Sequence, residues 1–204
     1  MNTSTAIVVG LALGVRHATD ADHVVALATL LRRRSGMRGA LVVGTVWGLG
    51  HTMVLLAAGV AVVLLGVHVP AALDRVAELA VAVMLVGLGL RHLFSAHHRE
   101  PHVHAPGRIA LRPFAIGMVH GLAGSAGVAL LALTTIRSPG AAMLYLSLFG
   151  LGTVAGMMLL TCVIAFPLCY AGRSGRIEPW IVRGASAASL ALGVVLAVRW
   201  SLGA

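Results

Sequence analysis

The chain has 204 residues, 59% hydrophobic and 10% charged, with a mean hydropathy of +0.97. A soluble domain carries about 25% charged residues, so the polar surface is too small to face water and the solvent that fits is lipid. The formal charge of +9 comes wholly from arginine in short clusters between apolar runs, unlike a nucleic-acid-reading face, and a chain without lysine cannot build a Walker A phosphate loop or hydrolyse ATP by that route.

A membrane span needs about 20 mostly apolar residues. Six such runs follow one another, at 5–31, 39–67, 75–95, 111–136, 141–170 and 179–201. RRRSGMR, HVPAALDR, AHHREPHVHAPGR, RSPG and GRSGRIEP separate them, all rich in breakers. No basic stretch precedes the first run, so the expectation is a retained span rather than a cleaved signal peptide. Arginines cluster after the odd spans: Arg32, Arg33, Arg34 and Arg38; Arg99, Arg108 and Arg112; Arg173 and Arg176. The other side shows Arg75, Arg137 and Arg199. The positive-inside rule then puts the odd loops in the cytoplasm of a multi-pass cell-membrane protein, with both termini outside it.

GVRHATDADHVVALATL in the first run lies over GMVHGLAGSAGVALLAL in the fourth, matching Gly14 with Gly117 and His17 with His120. WGLGHT in the second run then falls near FGLGTV in the fifth. Repeats of three spans each must cross the bilayer in opposite senses, a transporter architecture with the substrate site near the midplane. The expectation is an all-α integral membrane protein of six transmembrane helices in two inverted three-helix repeats. They occupy 1–97 and 111–204, joined by a His-containing cytoplasmic loop at 98–110.

The first run holds RHATDADH, with Arg16, His17, Asp20, Asp22 and His23 ionisable. At the bilayer centre each Asp or Arg costs about 2.5–3.5 kcal/mol, so these groups must face a bundle interior and pair. His17, Asp20 and His23 share a broad helical face, and Arg16 and Asp20 stand at ion-pair spacing. Asp22 lies roughly 140° from His17 on a regular helix. It therefore meets a different helix or the backbone is broken there. Imidazoles with carboxylates suit Ni, Co, Zn or Cu rather than Ca or Mg, one carboxylate orienting an imidazole from behind. A structural polar network and a metal-free proton relay are the alternatives.

HATDADH resembles the HxxxxDH signature of the nickel/cobalt transporter family, with His17, Asp22 and His23 at its defining positions. LGHT at 49–52 is similar to that family's second histidine motif and falls in the next span. Larger members carry an acidic GFDTATE-like motif in the second half and an additional N-terminal span. This chain has HGLAGSAG at 120–127 and starts with the motif helix, which is closer to the six-span, UreH-type (urease accessory) branch. The resemblance implies an uptake permease for Ni²⁺ or Co²⁺ working without ATP hydrolysis. The metal would be the transported substrate rather than a cofactor. His17, Asp22, His23 and His51 form the expected ligand shell, with Asp20 and His120 beside it.

Other features carry blander readings beside the functional one. His92, His97, His98, His102 and His104 would chelate metal transiently or form a solvated linker. A His-rich loop also occurs in related efflux proteins, which keeps export open as a direction. Gly44-x-x-x-Gly48 and Gly152-x-x-x-Gly156 read as close helix packing. Ser125 stands where Asp22 stands in the first half. Cys162, Cys169, Met157 and Met158 read as apolar packing, and Trp180 and Trp200 as markers of the two membrane interfaces. A membrane accessory protein delivering nickel for urease maturation is the further alternative. No HExxH motif or nucleophile elbow points to an enzyme. The reading leaves room for nickel-enzyme maturation proteins and a homo-oligomer as partners, and for no nucleic acid.

Overall fold

The computed structural model describes residues 3–31, 36–66, 70–94, 106–121, 136, 138–170 and 178–203. All regular structure among them is helical: α1 (Thr3–His17), α2 (Ala21–Leu30), α3 (Gly36–Leu65), α4 (Ala71–Phe94), α5 (Pro106–Gly121), α6 (Pro139–Tyr170) and α7 (Glu178–Leu202). Among the described residues four stretches are long and apolar enough to cross a membrane: Gly36–Leu65, Ala72–Phe94, Pro139–Pro167 and Pro179–Leu202. The fourth expected span is described only as far as Gly121; Ser125 and most of HGLAGSAG lie outside the described residues.

The first expected span, 5–31, is two helices and not one. α1 has 15 residues and α2 has 10, about 22 and 15 Å at 1.5 Å per residue, so neither alone crosses a hydrocarbon core of about 30 Å. The sequence at the break explains it. Thr19 and Asp20 have side chains that compete with the helix for backbone groups. Thr19 Oγ1 donates to the Arg16 carbonyl at 2.6 Å. The chain tightens, the Thr19 and Asp20 amides donating to the carbonyls of Arg16 and His17 at 2.9 and 3.1 Å. Asp20 is then extended (φ −61°, ψ 146°), and its carbonyl starts α2 by accepting from Val24 at 3.0 Å.

The packing is inside-out relative to a soluble protein. Val8, Leu65, Val83, Leu111, Leu159, Val163 and Trp180 are exposed, whereas His23, His51, His120, Thr153, Thr161, Ser186 and Ser189 are buried. An apolar exterior, with polar side chains buried among an apolar core, fits lipid as the surrounding medium. Trp180 and Trp200 stand near opposite ends of α7, about 30 Å apart along a helix, which matches the hydrocarbon thickness. Trp200 is tied to α4: its Nε1 donates to the Arg75 carbonyl at 2.8 Å, and Arg75 donates back to the Trp200 carbonyl at 3.3 Å.

α3 and α6 run antiparallel through the centre, Gly44 facing Met157 and Thr161 while Gly59 faces Leu146. α1 lies along α6, α5 along α3, and α4 pairs with α7. Small residues permit each approach, and the contacts come in reciprocal pairs. Gly50 meets the Phe114 carbonyl as Gly152 meets that of Leu11; Gly117 meets Trp47 as Gly14 meets Phe149. Gly48 meets Val154 as Gly150 meets Thr52, and Gly89 meets Ser186 and Leu190 as Gly193 meets Ala82 and Val86.

A Cβ at residue 14 would press into the backbone of Phe149 and come within 2.8 Å of the Thr153 amide. Gly14→Ala and Gly117→Ala are therefore each expected to cost about 1–3 kcal/mol. Gly87 has nothing within 4 Å of such a Cβ, so Gly87→Ala is expected to be neutral or to gain about 0.5–1 kcal/mol. Thermal unfolding in detergent distinguishes the three; equal midpoints would refute the tight-contact account.

Candidate metal centre

The break in the first span builds the site. His17 is the last residue of α1 and His23 lies in the first turn of α2, so the turn between them points both rings inward. His51 stands midway along α3, and His120 sits in the last turn of α5. His17 is 6% exposed and the other three are fully buried. Ring centroids are 4.8 Å apart for His17–His23, 5.0 Å for His17–His51, and 5.1 Å for both His23–His51 and His23–His120. Phe149 stacks beside His17 at 5.4 Å, and Trp47 beside His120 at 5.2 Å and His23 at 5.5 Å.

Hydrogen bonds decide what these rings present. His23 Nδ1 lies 3.0 Å from the His17 carbonyl. A carbonyl only accepts, so Nδ1 carries the proton and the neutral ring keeps its lone pair on Nε2. His23 Nε2 has no hydrogen-bond partner among the described residues. His17 Nδ1 lies 3.0 Å from Asp20 Oδ2, and an ionised carboxylate likewise accepts, leaving the His17 lone pair on Nε2. Histidines that ligate metals are commonly anchored in this way, through the far nitrogen, to a carboxylate or a carbonyl.

His17 Nε2 stands 3.0 Å from His51 Nε2. In the metal-free protein that is an N–H···N hydrogen bond. The same spacing, with both nitrogens about 2.1 Å from an ion, subtends roughly 90°. His51 Nδ1 is unpartnered. Neither nitrogen of His120 has a hydrogen-bond partner among the described residues. Its Nε2 faces Asp22 Oδ2 at 3.6 Å, and Asp22 Oδ1 lies 3.9 Å from His23 Nδ1. Two groups of donors result: His17, His23 and His51, and Asp22, His23 and His120, with the ligand atoms of each group within 4.8 Å of one another.

The six residues singled out in the sequence thus lie around one centre: His17, His23, His51 and His120 are buried, Asp22 is partly exposed beside His120, and Asp20, with its side chain 39% exposed, joins through His17. Asp22 reaches it because the break abandons the regular helix on which it would point away. The same break removes the Arg16–Asp20 spacing. Arg16 is exposed, and the Asp20 carboxylate turns back to His17 instead. Sequence reasoning missed Trp47 and Phe149 as walls of the site, although Trp47 precedes His51 by one helical turn. It also missed Thr52, whose hydroxyl donates to the Gly150 carbonyl at 3.3 Å. Of the histidine-rich middle tract only His92 is described, with Nδ1 on the Leu88 carbonyl at 2.8 Å; the other four lie outside the described residues.

No protein-family model matches the chain. No solved structure matches it significantly. A urease accessory protein, UreH, of Bacillus sp. (strain TB-90) is 31% identical over 187 residues, covering 84% of this chain and 81% of the relative. The chain belongs to the UreH family. Its helices make it a membrane protein of that family, and the kinship is to an accessory protein rather than to an enzyme.

The tautomer derived for His23 has a direct check. ¹⁵N NMR of histidine-labelled, metal-free protein is expected to show His23 among the imidazoles with Nδ1 protonated and Nε2 bare, a tautomer it shares with His17 and His92, and His23→Ala should delete one signal of that set. A His23 protonated at Nε2 with bare Nδ1 would contradict the hydrogen bond to the His17 carbonyl.

Proposed function

We propose that the protein is a permease for divalent transition-metal ions, nickel foremost and cobalt second, that binds its substrate among His17, His23, His51, Asp22 and His120. One observation carries this reading: four buried imidazoles gather around the break, two of them, His17 and His23, anchored through Nδ1, while His23 Nε2, His51 Nδ1 and both nitrogens of His120 have no hydrogen-bond partner among the described residues. A merely structural network would satisfy those unpartnered nitrogens. Nitrogen and oxygen donors at roughly 90° favour Ni²⁺ or Cu²⁺ over tetrahedral Zn²⁺. Asp20 orients His17 and offsets the charge of the ion, and the carbonyl end of α1 adds a partial negative charge beside it.

The architecture proposed is six spans in two inverted repeats, 1–97 and 111–204, with the arginine-rich loops and the 98–110 segment cytoplasmic. The reciprocal glycine contacts support it. Trp47 and Phe149 are exchanged by the same correspondence that exchanges His17 with His120, and α3, the counterpart of α6, runs antiparallel to it. An ion of charge +2 moving inward gains about 4.6 kcal/mol per 100 mV, enough for roughly thousandfold accumulation. The potential suffices without ATP. The relative's name, urease accessory protein, fits a permease whose nickel reaches a metalloenzyme maturation route.

Proteoliposomes test this. Wild type is expected to take up ⁶³Ni²⁺ down a potential, and His17→Ala and His51→Ala to lose at least about tenfold, since even indirect supports of a metal ligand cost 10–100-fold. Asp20→Asn, which keeps the shape and loses the charge, is expected at about tenfold weaker affinity. Uptake by His17→Ala equal to wild type removes His17 from the mechanism. Wild type that binds nickel without moving it points to an accessory role on the membrane.

Protons compete with metal for imidazole lone pairs, and free imidazole titrates near about 6.5. Binding is therefore expected to be full at neutral pH and to weaken as pH is lowered through and below that range. Binding that no acidity short of unfolding weakened would exclude a histidine-based site.

A further inference from the structure

The donors around the break fall into two sets, not one. Ligands of one ion at about 2.1 Å lie at most about 4.2 Å apart, the separation of a trans pair. His17 and His51 belong to one set and Asp22 and His120 to the other; among the described residues the five do not form a single group within even 4.8 Å. No ring contact joins His120 to His17 or His51, whereas His23 touches all three. His23 is thus common to both sets, and a neutral imidazole has one lone pair to give. Two divalent ions at adjacent positions would in addition repel strongly in this low-dielectric interior.

We propose that the substrate ion occupies two positions in turn, His17–His23–His51 and Asp22–His23–His120, holding His23 while the other two ligands are exchanged. This rests on the permease reading above and goes beyond it by assigning a second position and a pivot. Each position offers three protein ligands and keeps coordination sites open, as sites that exchange ligands do. An incoming donor joins before an outgoing one leaves, and the ion never sheds its whole shell in the hydrocarbon layer. The two positions differ in charge. The first has neutral imidazoles with Asp20 held behind His17; the second has the Asp22 carboxylate itself. His17 and His120, at corresponding places against Phe149 and Trp47, make the step a transfer from the α1 side of the centre to the α5 side.

Co²⁺ is the probe, because its visible absorption reports the donor set. The full chain is titrated with Co²⁺ in nanodiscs and assayed for Co²⁺ influx in proteoliposomes. Wild type is expected to bind one ion per chain. His120→Ala and His120→Gln are expected to keep affinity within about threefold and the spectrum of an all-imidazole position, while influx falls at least about tenfold. Asp22→Asn should behave like them. His51→Ala is expected to lose at least about tenfold in affinity and to shift to the spectrum of a carboxylate-containing set. The relay is overturned if the His120 variants weaken binding as much as His51→Ala with the same spectral change, the mark of one shared site. It is also overturned if both His120 variants leave influx intact. Absence of influx by wild type instead sinks the permease reading, and this proposal with it.

Discussion

The carbonyl of His17 accepts from two donors, the Asp20 amide at 3.1 Å and the His23 ring at 3.0 Å, and the rest of the centre depends on it. A helix that stops inside a bilayer leaves carbonyls without partners, which hydrocarbon does not tolerate. Here the orphan is satisfied by the turn that follows and by an imidazole from the next helix. One pair of bonds closes the end of α1 and fixes which nitrogen of His23 is bare. Backbone economy and donor geometry are the same fact seen from two sides.

Around that point the bundle closes by backbone approach rather than by large interlocking side chains. Glycine at 14, 50, 117 and 152 lets α1, α3, α5 and α6 come together at the level of the imidazoles. Lipid supplies no hydrophobic drive to squeeze helices together, so contact area and satisfied polar groups must hold them. The hydroxyls of Thr153, Thr161 and Ser186 turn back onto their own helices, at 2.9, 2.8 and 2.7 Å. Ser189 reaches across to the Leu85 carbonyl at 2.8 Å. Phe149, tilted beside His17, and Trp47, edge-on to His120, are themselves buried and border the centre.

Much of this was legible in the residue order. Ionisable side chains in an apolar run are costly against lipid, so RHATDADH marked a polar centre; its two histidines are buried although Arg16 is exposed, and His51 and His120 were singled out by motif and by internal match. The break was legible only as an alternative, because periodicity sees Asp22 out of phase but not whether the helix or its neighbour gives way. The fate of Arg16 was hidden for the same reason: a four-residue spacing promises an ion pair only while the helix continues. Trp47 and Phe149 read as packing residues, since nothing in a sequence says which apolar side chain will border a polar chamber. The partition of the donors into two sets is purely a matter of distance.

Helices from the two ends of the chain are interleaved. α1 lies along α6 and α5 along α3, so each half-length helix finds its bed on a long helix from the other end of the chain. During synthesis α1 therefore reaches the bilayer long before the surface it needs exists. At about 5–20 residues per second, the wait for α6 runs to roughly ten seconds or more. Through that interval His17 and its neighbours sit in the membrane without their final companions, so the newborn chain depends on the insertion machinery or on transient contacts to shelter them. A chain cut between α4 and α5 would make two fragments, α1 in one lying along α6 in the other and α5 in the second along α3 in the first.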